Sequence, residues 1–311
     1  MKGEPGHLVK YSRVPNVTKD ISRVAMGSMA FKDAEFATPV YDKFFALGGN
    51  CFETARHYGA AEEILGHWVR SRDIREEVVL ITKGAHTPNC YPEAVAEELA
   101  ESLDRLQTDY VDVYFLHRDN PDIPAGEFVD VLNEHKDAGR IKVFGGSNWT
   151  VERVQEANAY AARKGLTGFS ALSNNFSLAR WVAPPWPGCE TASDLDSRRW
   201  LDEQQMPLFP WSSQARGFFV EGRATPDDRS DAELARCWYS DENFLRLERA
   251  KTLAAQKDTV PTAIALAYVL HQQFPTFPII GPLSPQETST SMGALDIDLT
   301  PAELHWLDLR N

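Results

Sequence analysis

A chain of 311 residues, 43% hydrophobic and 25% charged, is long enough for one large domain or two ordinary ones, and apolar enough to bury a sizeable core. Its formal charge of −13 argues against a nucleic-acid partner, because phosphate binding needs clustered Lys and Arg. Four widely spaced cysteines, Cys51, Cys90, Cys189 and Cys237, form no C-x-x-C pair or metal-like group, which predicts reduced thiols, no bound metal and a cytoplasmic protein.

The start, MKGEPGHLVKYSRV, has none of the apolar character of a secretory signal, and residues 8–19 are predicted to form a β-hairpin covering one end of the fold. Strands are predicted to begin near Arg23, Asn50, Val78, Val111, Ile141, Gly168, Pro207 and Phe277, on β-branched runs such as 78–82 (VVLIT) and 111–116 (VDVYFL). Amphipathic stretches separate them. Val95, Leu99, Leu103 and Leu106 share one helical face, and Phe128, Val131, Leu132 and His135 another. Gly48-Gly49, Gly139 and Gly165 close such stretches. The apolar run 263–270 (AIALAYVL) is too short to span a bilayer, so no membrane contact is expected.

Repeated β-α-β units of this length imply parallel strands joined by crossover helices. A closed barrel and an open doubly wound sheet both satisfy eight such strands. No G-x-G-x-x-G follows the first strand, which favours an α/β fold of the (β/α)8 TIM-barrel type, in one domain over residues 1–311. Residues 180–193 (RWVAPPWPGCETAS) and 215–240 break the regular unit. They are read as long loops over the C-terminal face, where such barrels assemble their sites, with solvated insertions as the alternative.

The most informative stretch is GGNCFETARHYGAAEEILG, residues 48–66, with an acid, Glu53, five residues before a tyrosine, Tyr58. Lys83 then closes VVLITK, His117 closes VDVYFLH, and Ser147-Asn148 close VFGGSN. In order and spacing this set resembles the aldo-keto reductases, over about Met26 to Leu309. The resemblance implies an oxidoreductase that moves a hydride between a nicotinamide cofactor and a carbonyl or alcohol. Its catalytic set would be Tyr58, Lys83, His117 and Glu53. The chemistry is sensible in itself: a carbonyl accepting hydride develops negative charge on oxygen and needs a proton donor. A phenol with a pKa of about 10 is a poor acid, and a neighbouring ammonium is expected to lower it. Taken singly, Tyr58 reads as a loop tyrosine, Lys83 and His117 as ordinary strand-end residues, and Glu53 with Arg56 as a surface ion pair. The family pattern has Asp where this chain has Glu53; Glu53→Asp is expected to raise or preserve activity.

For the cofactor, the resemblance implies contacts from Gly27, Ser28, Ser147, Asn148, Ser173, Trp211, Ser212, Gln214, Gly281, Leu283 and Glu287. Ser147 and Asn148 are equally suited to cap the helix that begins near Thr150, and Trp211 either stacks on the nicotinamide or packs the core. Ser173 stands where the family usually has Gln. Leu283 occupies the place of a basic residue that pairs with the 2′-phosphate of NADP, and no Lys or Arg lies between Lys257 and Arg310. NAD(H) is therefore favoured, with NADP(H) as the alternative. Met29, Phe31, Arg118, Trp149, Trp186, Phe218 and Phe219 are the candidate substrate contacts, suited to a sugar, a polyol or an aromatic carbonyl, with a tilt toward a carbohydrate. Arg118 either binds an anionic group or pairs with Asp119 or Asp122. The expected partner is a small carbonyl or alcohol, with the oligomeric state open. The competing readings are a regulatory subunit resembling the potassium-channel β-subunits and a weakly active barrel.

Overall fold

The computed structural model describes residues 10–310. β1 (Tyr11–Ser12) and β2 (Ile21–Ser22) pair antiparallel, so the N-terminal hairpin is present and reaches beyond the predicted 8–19; residues 8 and 9 lie outside the described residues. A sheet of seven parallel strands follows: β3 (Ala25–Gly27), β4 (Cys51–Glu53), β5 (Val79–Gly84), β6 (Val111–Leu116), β7 (Ile141–Ser147), β8 (Ala171–Ser173) and β9 (Ile279–Ile280). Its order, β8-β7-β6-β5-β4-β3-β9, brings the last strand beside the first, and the sheet is curled. The segment expected as a strand from Pro207 holds only isolated parallel bridges, Leu208 to Leu172 on one side and to Thr276 on the other, with Trp211 to Asn175 beyond them. Prolines at 207, 210, 275 and 278 withhold ladder donors there, which shortens regular pairing.

Helices α1 (Ala34–Ala46), α2 (Ala61–Arg72), α3 (Pro92–Leu106), α4 (Ala125–Asp137) and α5 (Val151–Lys164) alternate with the strands and cover the outer face. α6 (Leu195–Gln204), α7 (Ala232–Trp238), α8 (Asp241–Gln256), α9 (Pro261–Leu270), α10 (Pro285–Gly293) and α11 (Pro301–Leu307) complete the layer. The connection 215–240, read from sequence as a loop, thus contains a helix, capped by the Asp231 side chain. No helix among the described residues is long and apolar enough to cross a membrane; the run 263–270 is a buried stretch of α9.

Two apolar layers follow from the strand period of two. Outward residues such as Phe52, Leu80 and Tyr114 pack against the helices. The inward set, Ala25, Cys51, Val79, Ile81, Val113, Phe115, Val143, Ala171 and Phe209, forms a separate cluster inside the curl. The hairpin residues Val14, Val17 and Ile21 join it from the N-terminal end. Close approach depends on glycine at one helix contact: a Cβ on Gly66 of α2 would lie 2.6 Å from the Leu106 backbone at the end of α3.

Candidate active site

Extending each inward row two residues toward its C-terminal end gives the site. Ala25 leads to Gly27, Cys51 to Glu53, Ile81 to Lys83, Phe115 to His117, Ala171 to Ser173 and Phe209 to Trp211; Ser147 ends the β7 row beyond Val143. The apolar filling stops and polar groups begin at one level, with register pairs Gly27–Glu53 and Ser147–Ser173.

Lys83 and Glu53 are both buried and form an ion pair. The ammonium also donates to the Thr54 carbonyl at 3.2 Å and to the Tyr58 hydroxyl at 3.3 Å. Its three protons are thus engaged, and the Tyr58 oxygen acts as an acceptor, which leaves the phenol proton free for another partner. The His117 ring stands edge-on to Tyr58, with centroids 5.6 Å apart, and its Nδ1 is buried without a hydrogen-bond partner. Arg56 is occupied elsewhere: it pairs with Glu101 and, at 3.5 Å, with Glu98, so the alternative Glu53–Arg56 surface pair is not formed. Gly27 leaves room for the longer acid, since a Cβ there would sit 3.3 Å from Glu53 Oε2 and 2.8 Å from Ile279.

The electrostatics correct one expectation. Burial pushes the Tyr58 phenol up to about 12, although the ring itself is only half-buried, and the cation that draws it down is Arg118 rather than Lys83. Burial and then Arg118 push the Lys83 ammonium well below its ordinary range, with the Glu53 contact opposing that loss of charge. Burial, Lys83 and Arg118 hold His117 neutral. The phenol therefore stays protonated near neutrality.

Ser147 Oγ donates to the Ser173 carbonyl at 2.8 Å, and Ser173 Oγ to the Phe209 carbonyl at 2.9 Å. Asn148, at φ 60°, donates to the His117 carbonyl at 3.2 Å and accepts from the Glu190 amide at 3.2 Å. The cap of α5 is Thr150, so Ser147 and Asn148 do not serve as its cap. Ser28 is buried, and its backbone carbonyl accepts from Phe31. Trp211 is half-buried: it touches the inward cluster and lies 5.4 Å from Trp181 and 6.1 Å from Trp186, so it packs the core and reaches the mouth at once. Ser212 follows at φ 49°, and Gln214 donates to Thr262. Gly281 is exposed with open space where a Cβ would stand, Leu283 is 51% exposed, and its amide donates to Glu287 at 2.8 Å.

Of the expected substrate contacts, Met29 is exposed and Trp186 half-buried at the mouth. Phe31 packs under Tyr41, Trp149 against Phe128 and Phe169, and Phe218 with Phe219 against Tyr239 and Phe244. All four are fully buried among these neighbours. Arg118 is buried and pairs with neither Asp119 nor Asp122; Asp119 is taken by Arg153 at 2.8 and 3.0 Å. Sequence reasoning missed His57 and His86, stacked at 4.0 Å beside His117, and Ser213, whose hydroxyl ties this segment to the Ile279 carbonyl. The histidines had a signal, one preceding Tyr58 directly and one three residues after Lys83.

A parallel curled sheet thus carries a buried Lys–Glu pair and a tyrosine at its C-terminal end. The chain belongs to the aldo/keto reductase family, whose model matches residues 23–309. It is a nicotinamide-dependent oxidoreductase of a family that acts on small carbonyl and alcohol substrates. Norsolorinic acid reductase A of Aspergillus parasiticus is 27% identical, aligned over 98% of this chain and 82% of that protein. A putative aryl-alcohol dehydrogenase of Saccharomyces cerevisiae is 28% identical over 91% of this chain and 78% of its own length. An uncharacterized oxidoreductase of Bacillus subtilis is 25% identical, with 96% and 95% covered.

Proposed function

We propose that this chain closes as a (β/α)8 barrel in one domain and reduces an aromatic aldehyde or ketone, with Tyr58 as the proton donor. The contact of Lys83 with both Glu53 and Tyr58 carries the reading. The bridges from Leu208 to Leu172 and Thr276 support closure of the curled sheet. Trp181, Trp186 and Trp211 offer flat apolar faces that suit an aromatic ring as well as a sugar, and the names of the relatives favour the aromatic over the carbohydrate-derived substrate. Four buried, unpaired cysteines support a reducing, cytoplasmic setting.

The nicotinamide, when bound, supplies the hydride. Gly27, Ser28, Ser147, Asn148, Ser173, Trp211, Ser212 and Gln214 would hold that end, and Gly281, Leu283 and Glu287 the adenosine end. The fit has structural support in the unpartnered, buried Trp211 Nε1 and in the open space over Gly281. Tyr58 then donates its free proton to the developing alkoxide, neutral His117 positions the substrate oxygen, and Lys83 holds the Tyr58 oxygen in place by its hydrogen bond. Glu53 balances the Lys83 charge.

NAD(H) is proposed to serve at least as well as NADP(H). Exposed Leu283 offers no cation to a 2′-phosphate, and the Glu287 carboxylate beside it repels one. Fluorescence titration with NADH and NADPH, followed by turnover on aromatic and sugar aldehydes, tests both points. NADPH bound ten-fold more tightly overturns the cofactor preference; turnover of sugars alone overturns the substrate class.

A further inference from the structure

We propose that Arg118 recognises an anion on the substrate, so that the preferred aromatic carbonyl compound carries a carboxylate docked on this guanidinium. The inference rests on the reading of the site as a carbonyl reductase and names the substrate class within it.

Arg118 directly follows His117 and is 8% exposed, yet among the described residues no carboxylate forms an ion pair with it. Its hydrogen bonds go to the neighbouring His117 carbonyl at 3.0 Å and to the Cys189 thiol at 3.5 Å, both uncharged groups. Burial raises the Cys189 thiol, so no thiolate balances the charge. The nearby acids are already committed. Asp119 is held by Arg153, Glu53 by Lys83, and Glu98 by Arg56. Glu190 lines a groove with Glu152, Asp194 and Asp196, and no ion pair joins it to Arg118 among the described residues. A buried guanidinium without a counter-charge is unfavourable, and its planar fork of donors is matched by a carboxylate.

Position points the same way. Its contact with the His117 carbonyl sets Arg118 at the C-terminal end of the strands, next to the paired Tyr58 and His117 rings. Gly188 lies over its stem with no side chain to cover it; a Cβ there would be 3.8 Å from Arg118 Cδ. His57 and His86 stack on each other beside His117, in a chain whose net charge is −13.

The test compares kcat/KM for benzaldehyde with the ortho, meta and para carboxybenzaldehydes, in the wild type, Arg118→Leu and Arg118→Lys. At least one carboxylated isomer is expected to be preferred about ten-fold or more, mainly through KM, with that ratio lost in Arg118→Leu and partly kept in Arg118→Lys. A wild-type ratio below about two for every isomer, or a ratio unchanged in Arg118→Leu, overturns the inference while leaving carbonyl reduction intact. Benzoate binding, read by tryptophan fluorescence, gives an answer that needs no turnover. About ten-fold weaker binding in Arg118→Leu supports the inference, and equal binding overturns it even if no aldehyde is reduced. Should Arg118→Leu not fold, Arg118→Lys decides by the same ratio: a fall of about three-fold or more supports, no change overturns.

Discussion

Lys83 is bound on three sides, by Glu53, by the Thr54 carbonyl and by the Tyr58 hydroxyl, and this arrangement decides what each group can do. Tyr58→Phe removes only the proton carrier. Turnover is expected to fall by about 10³-fold or more with cofactor binding nearly unchanged, measured by single-turnover rate and titration. Because burial sets the phenol at about 12, it stays protonated through neutrality. Reduction, which consumes that proton, should be flat between about pH 6 and 9, whereas alcohol oxidation, which needs the phenolate, should rise by up to about ten-fold per pH unit below 12. Opposite slopes would place the proton on another group. The room over Gly27 is fitted to the longer acid, so Glu53→Asp, expected from sequence to raise or preserve activity, is now expected to lower kcat by about ten-fold or more as the carboxylate withdraws by about 1 Å. Strand-end spacing made Glu53, Lys83 and His117 legible in the sequence; the burial of Trp149 and Phe218 was not, because an aromatic in a loop reads the same whether it faces solvent or a second aromatic.

Among the elements, the two irregular connections are fastened to each other and to the C-terminus. Arg236 donates to the Pro184 and Pro185 carbonyls at 2.9 and 3.0 Å, joining α7 to the tryptophan-rich stretch. Asp308 receives Arg180 at 2.8 Å, Arg198 at 2.7 Å and Arg310 at 2.8 Å. Burial works against its charge, and Arg198 and Arg180 prevail, holding the carboxyl below its usual range. Asp308→Ala strands these guanidinium groups and is expected to cost about 3 kcal/mol in denaturant unfolding and to raise KM, since Arg180 adjoins Trp181. At the opposite end, buried Asp112 joins Lys19 of the hairpin at 3.2 Å to Arg75 at 3.0 Å. Asp112→Ala should lower Tm with kcat/KM of the surviving folded enzyme within about two-fold, because this pair lies at the N-terminal end of the strands, away from Tyr58. None of these long-range ties follows from local pattern. Helices such as α3 and α5 were legible because their apolar faces repeat locally.

At the scale of the molecule, the parallel units were legible from alternating strand and helix patterns, while the weak seventh position was not, since prolines leave its pairing to isolated bridges. The curl gives one interior, filled by apolar side chains through most of its depth and polar only where the inward rows end. That gradient puts the buried polar groups of the proposed site at one end alone. A stopped-flow single turnover with NADH-loaded enzyme and an aromatic aldehyde, in the wild type and Tyr58→Phe, tests the central claim most directly. The account predicts NADH oxidation in one exponential phase that disappears in Tyr58→Phe; equal rates in both, or no oxidation by the wild type with any aldehyde, would contradict it.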